Sequence, residues 1–151
     1  MGFKCFEKEI NSIRAGYAKR DEFSPIPNDR VSVFIDTYNR LKNAYVFAVN
    51  PSGVQYDGIY TPERDVDFSW DTQFESKTAI YDSFWVAEVK IYFSSLKFPS
   101  AKEQKWRIHL RRFRPRGESE VFSWAPIDRN NPSFLGQAGI IIIPCPFSKW
   151  L

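Results

Sequence analysis

From Asp29 the chain reads Asp-Arg-Val-Ser-Val-Phe-Ile-Asp, so that Val31, Val33 and Ile35 alternate with Arg30, Ser32, Phe34 and Asp36. A period of two sends successive side chains to opposite faces of an extended strand, which makes one face apolar and the other mixed. The pattern returns. Trp85, Ala87, Val89 and Ile91 alternate with Val86, Glu88 and Lys90, and Trp106, Ile108 and Leu110 alternate with Arg107, His109 and Arg111. A chain written this way is mostly antiparallel β, and its function is built on sheet faces and loops.

Turn chemistry sets the boundaries. A strand tail is predicted over 3 to 7, a helical turn within 9 to 17, and then a polar loop broken by Pro25 and Pro27. Strands are predicted at 30 to 37, 44 to 50 and 54 to 59. The last two form a hairpin, because Pro51 and Gly53 suit restricted and positive φ in the turn after Asn50. Residues 61 to 71 read as an acidic loop, followed by strands over 73 to 80 and 84 to 91. Ser94 is placed to cap a single helical turn ended by Pro99, with strands near 105 to 114 and 119 to 124 after it. Ile140 to Ile143 reads as a last buried strand closed by Pro144 and Pro146. Short strands at regular spacing predict an all-β fold, an antiparallel two-sheet sandwich, rather than a parallel α/β sheet.

With 151 residues the chain suits one domain, and a domain of that size buries roughly 70% of the surface its unfolded chain exposes. It needs no disulfide staple; Cys5 and Cys145 are read as unpaired thiols, with a single bridge as the alternative. No run approaches the roughly 20 apolar residues of a membrane helix, and the first residues lack a signal peptide's apolar core. The net charge is only +3, although Arg111, Arg112, Arg114 and Arg116 crowd together. Pairing with nearby acids such as Glu118 and Glu120 explains that crowding better than nucleic acid does. Catalytic signatures are missing: His109 is the lone histidine, without a nucleophile motif beside it, and there is no zinc spacing or phosphate loop. The chain is read as not an enzyme.

Four ordered segments carry a resemblance. They are Asp29 to Asn39, Asn43 to Gly58, Phe84 to Pro99, and Phe122-Ser-Trp-Ala-Pro-Ile. Together they resemble the family 9 carbohydrate-binding modules, jelly-roll-like sandwiches of the DOMON-like type. The chain looks more narrowly like the amino-terminal module of large bacterial envelope proteins. The resemblance implies a noncatalytic module that holds poly- or oligosaccharide by stacking and hydrogen bonds, with calcium supporting its loops. It also implies a periplasmic, outer-membrane or extracellular address, and association with glycoside hydrolases such as xylanases. Two departures accompany it. An aromatic wall of the sugar site is replaced by Ile26, and the start resembles the end of a strand that relatives reach later. A module lacking its first strands would expose a sheet edge and favour a homodimer. A domain that has lost sugar binding and serves structure or protein interaction is the alternative reading.

A sugar site needs flat apolar rings and planar polar groups. Trp70, in the acidic loop, and Trp124, before Pro126, are the candidate platforms, while Trp85 and Trp106 are assigned to the core and Trp150 is left unassigned. Arg112 and Arg114 share one strand face and Arg111 the other; Arg112 and Arg114 are taken as ligand donors, with Asn50, Gln55 and Asp57 beside the hairpin turn. Calcium requires six to eight oxygen ligands, for which Glu63, Asp65, Asp67 and Asp71 are the local supply.

Overall fold

In the computed structural model, which describes residues 1–23 and 26–144, the alternating runs are strands and every pairing is antiparallel. A small sheet is formed by β1 (Gly2–Phe6), β6 (Phe74–Ile80) and β7 (Phe84–Ile91), in the order β1-β7-β6. The larger sheet holds β2 (Arg30–Asp36), β3 (Ala44–Val49), β4 (Gln55–Thr61), β5 (Asp65–Asp67), β8 (Glu103–Pro115), β9 (Ser119–Ser123) and β10 (Gly139–Pro144). Its order is β10-β8-β2-β3-β4-β5. The long strand β8 gives its first half to β10 and its second half to β9, along the edge opposite β2.

The apolar phase of each strand makes the interior. Val31, Val33, Ile35, Phe47, Val49, Trp106 and Ile108 of the large sheet pack against Cys5, Phe74, Trp85, Ala87 and Val89 of the small one. Trp85 and Phe47 are fully buried, each contributing roughly 2–3 kcal/mol by removal from water. Both core tryptophans fall where the alternation put them. Burial also pushes the Cys5 thiol up to about 11; its pairing with Cys145 concerns a residue outside the described ones.

Charges close one end of the sandwich. Glu7 follows β1, is buried, and receives Arg112 at 2.9 Å and Arg114 at 2.6 Å, with Arg116 at 3.6 Å. Arg116 also binds the fully buried Asp29 at 2.8 Å, whose carboxylate accepts the Arg14 amide. Because Glu7 hangs from the small sheet through its amide to the Ser83 carbonyl, the cluster ties the two sheets together.

Local differences from the sequence reading have physical causes. The 61–71 loop contains β5, entered through Asp65 at φ 60°, and three paired residues are too few to show a period. Ser94 caps nothing: a 3-10 turn covers Phe93–Ser95 and makes no side-chain cap. A second 3-10 turn, Ile10–Ser12, is the helical turn expected within 9 to 17. The isoleucine run is only half inward. Ile141 and Ile143 pack on the core, whereas Ile140 and Ile142 are 53% and 59% exposed, since β10 lies at a sheet edge and no described residue covers its other face.

Candidate functional site

The mixed phase of the large sheet, facing away from the small sheet, carries a cleft lined by both rings and guanidinium groups. Residues opposite each other across β2 and β8 share a face, which puts Arg30 with Phe113, Ser32 with Arg111, and Phe34 with His109. Val46 and Ala48 of β3 and Tyr56 of β4 continue this floor. Gly58 lets the chain fold back at the far side, since a Cβ there would sit 2.6 Å from the Asp67 carbonyl oxygen. The sheet therefore curls, with Asp65, Val66 and Phe68 on one rim and Val121 of β9 on the other, around a cavity of about 290 Å³.

Aromatic rings and guanidinium groups line it. Phe23 stacks on Tyr56 at 4.7 Å and meets Phe68 edge-on at 4.7 Å. The Arg30 guanidinium lies 4.2 Å from the centre of the Phe113 ring. Arg111 lies 5.6 Å from Phe34 and 5.2 Å from Phe134. Both arginines are half-buried, and burial lowers both from the usual guanidinium range. Among the described residues neither makes a side-chain hydrogen bond or an ion pair. Stacking occupies the flat faces and leaves the N–H edges for a ligand.

Beneath the cleft lies His109, fully buried, stacked on Phe134 at 4.4 Å, with Nε2 2.9 Å from the Phe134 carbonyl. A carbonyl only accepts, so the proton sits on Nε2 and the buried Nδ1 has no partner among the described residues. Burial is the main force holding this imidazole below its ordinary value of 6.5; the nearby Arg111 adds to the effect and the Phe134 carbonyl opposes it. Protonation thus favours the unfolded chain. The stability that neutral His109 contributes is fully present above about pH 6.5 and is lost as the pH falls toward the lower folded-state value, at up to about 1.4 kcal/mol per pH unit. His109→Phe, which keeps the ring stack, is expected to flatten that slope. Urea midpoints between pH 7.5 and 5 check it, and parallel curves for the two proteins would count against it.

The residues expected from sequence sit elsewhere. Trp70 is half-buried against Tyr45 at 5.1 Å and Phe47 at 6.1 Å, on the core side. Trp124 is 54% exposed, but its indole N–H is bound to the Ile108 carbonyl at 3.2 Å and its ring covers Gly139 at the seam between β9 and β10. Arg112 and Arg114 are occupied by Glu7, and their face is the core-side one. Asn50 is fully buried and works as a turn hub: its oxygen accepts the Ser52 and Val54 amides while its nitrogen donates to the Gly16 carbonyl. Gln55 bonds Arg20 and Ser76, and Asp57, fully buried, accepts from Arg20 and the Thr72 amide. The sugar-wall position reads differently too: Ile26 is exposed, while Phe23, three residues earlier, lines the cleft.

The acids expected to supply calcium ligands lie apart. Glu63, Asp65, Asp67 and Asp71 are all exposed and do not converge on one another. Asp71 instead joins Asp21 and Asp57 in a group whose oxygens lie within 4.8 Å. Arg20 already supplies the cation there, bonded to Asp57 and lying 3.5 Å from Asp21 and 3.4 Å from Asp71. A guanidinium at the centre of three carboxylates does not fit an ion that needs six to eight oxygens.

Sequence alternation held a signal for the cleft: Arg30, Ser32 and Phe34, and His109, Arg111 and Phe113, are the phases opposite the aliphatic ones. Nothing local signalled Phe23 or Phe68, which reach the cleft from loops. No helix among the described residues is long and apolar enough to cross a membrane. Compared with models of known families, with curated proteins and with solved structures, the chain matches none.

Proposed function

We propose that the protein is a noncatalytic carbohydrate-binding domain whose ligand lies in the cleft on the curled face of the large sheet. One observation carries the reading: ring faces and unengaged guanidinium edges converge in a single hollow, the combination by which a sugar's C–H face and hydroxyl rim are held together. Its volume of about 290 Å³ lies near the small end of ligand pockets, which suits a short oligosaccharide or a chain end. The sequence resemblance points to the same class. Isothermal titration against a glycan panel, with and without chelator, tests the proposal. Phe23→Ala removes a ring that is 46% exposed and so leaves the fold standing, yet it should weaken binding by about tenfold, the order of one stacking contact. Binding that is unchanged in Phe23→Ala, or silence across the whole panel, would remove the cleft from consideration.

A second reading has its own observation. Val121 of β9 and Ile140 and Ile142 of β10 are exposed on the face of the large sheet turned away from the small one. An apolar surface of that kind favours a structural or protein-interaction role in an envelope assembly, with sugar binding lost. Silence across the glycan panel would leave this reading in place.

A further inference from the structure

Resting on the carbohydrate reading, we infer that the cleft selects an anionic sugar unit, bearing a carboxylate or sulfate, and holds that group between Arg30 and Arg111. The contrast among the arginines carries this. Arg20, Arg112, Arg114 and Arg116 each have a carboxylate partner within hydrogen-bonding reach. Arg30 and Arg111 are half-buried as well, but they have rings beneath them and, among the described residues, no carboxylate within ion-pair distance. Taking charge partly out of water without a partner is unfavourable, and an incoming anion reverses that cost.

Placement agrees with charge. Arg111 is opposite Ser32, and Arg30 is opposite Phe113, two residues along the same face. Side chains in that diagonal relation start roughly 7–8 Å apart, a span one planar carboxylate can bridge once two long side chains lean toward it. Ser32, opposite Arg111 and two residues from Arg30, lines the same floor. Asp65 is the one acid in the lining; it is exposed and pairs with neither arginine, so the hollow keeps a net positive charge. Its field favours both charged guanidinium groups without engaging their N–H edges. A neutral glycan would meet the rings but leave two donor forks half used.

The experiment is a calorimetric titration of the full chain with three trisaccharides of matched backbone: neutral, uronate and sulfated. At about 50 mM salt at least one acidic trisaccharide should bind ten times more tightly than the neutral one, and the preference should shrink as salt rises. Arg30→Gln and Arg111→Gln should each weaken the acidic ligand far more than the neutral one, and so remove most of that preference. Arg111→Lys, which keeps the charge and loses the fork, should retain part of it, and serves where the glutamine variant fails to fold. Which acidic ligand binds better separates carboxylate from sulfate. Equal affinity for neutral and acidic ligands overturns the inference but leaves the carbohydrate reading intact. Silence toward all three removes both.

Discussion

Glu7→Ala is expected to cost about 3–5 kcal/mol of folding stability, a large part of what a domain this size has. The side chain is 2% exposed and accepts from Arg112 and from two nitrogens of Arg114, with Arg116 a little farther away. Removing it leaves converging guanidinium groups with their mutual repulsion and lost hydrogen bonds, and Asp29 answers only Arg116. The cluster also bridges the sheets, so damage there loosens the whole interior rather than one loop. Glu7→Gln keeps the shape and one acceptor and should cost visibly less. The Arg114 hydrogen bonds, more than any other contact, hold this carboxyl below its ordinary value of 4.5. Its contribution is therefore present above about pH 4.5 and is lost as the pH falls through the lower folded-state value, a window that opens at lower pH than that of His109. Urea denaturation of parent and both variants at pH 7 checks the order; equal stabilities for Glu7→Ala and parent would show that the cluster is decoration.

Much of the fold was legible because burial on one face writes a period of two into the chain. Val31, Val33 and Ile35, or Trp106 and Ile108, announce both strand and inward face. Pairing partners are not announced this way. That β8 serves β2 on one edge and β9 with β10 on the other follows from distant segments, and β5 is too short to carry a pattern. The site was harder for a related reason. Arginines look alike in sequence, yet Arg112 and Arg114 meet Glu7, more than 100 residues away along the chain, while Arg111 between them meets rings. Strand parity separates Arg111 from its neighbours, but only tertiary structure reveals which parity already has its acids. Tryptophans misdirect similarly: Trp70 lies in a polar loop by sequence, but the loop lays its indole on Tyr45 and Phe47.

Gly58→Val is expected to cost about 3 kcal/mol and to weaken ligand binding at least tenfold, with Gly58→Ala intermediate near 2 kcal/mol. The reason is backbone rather than side chain. At this position in β4 the returning chain passes so close that an added Cβ would lie 2.6 Å from the Asp67 carbonyl oxygen and 2.9 Å from a Val66 methyl. A carbonyl fixed in a strand pairing cannot swing aside as a lysine tip would, so β5 must lift. The higher strand propensity of valine works against this effect but is worth at most about 1 kcal/mol. Lifting β5 withdraws Val66 from Phe34 and Tyr60, and carries Phe68 away from Phe23. One substitution on the floor would thus open the rim, linking a stability measurement to a binding one at a residue that touches no ligand. Denaturant midpoints should fall in the order glycine, alanine, valine, and affinity should follow. A valine variant as stable as the parent would mean that the sheet does not close over this point, and the cleft would lose the wall on which its shape depends.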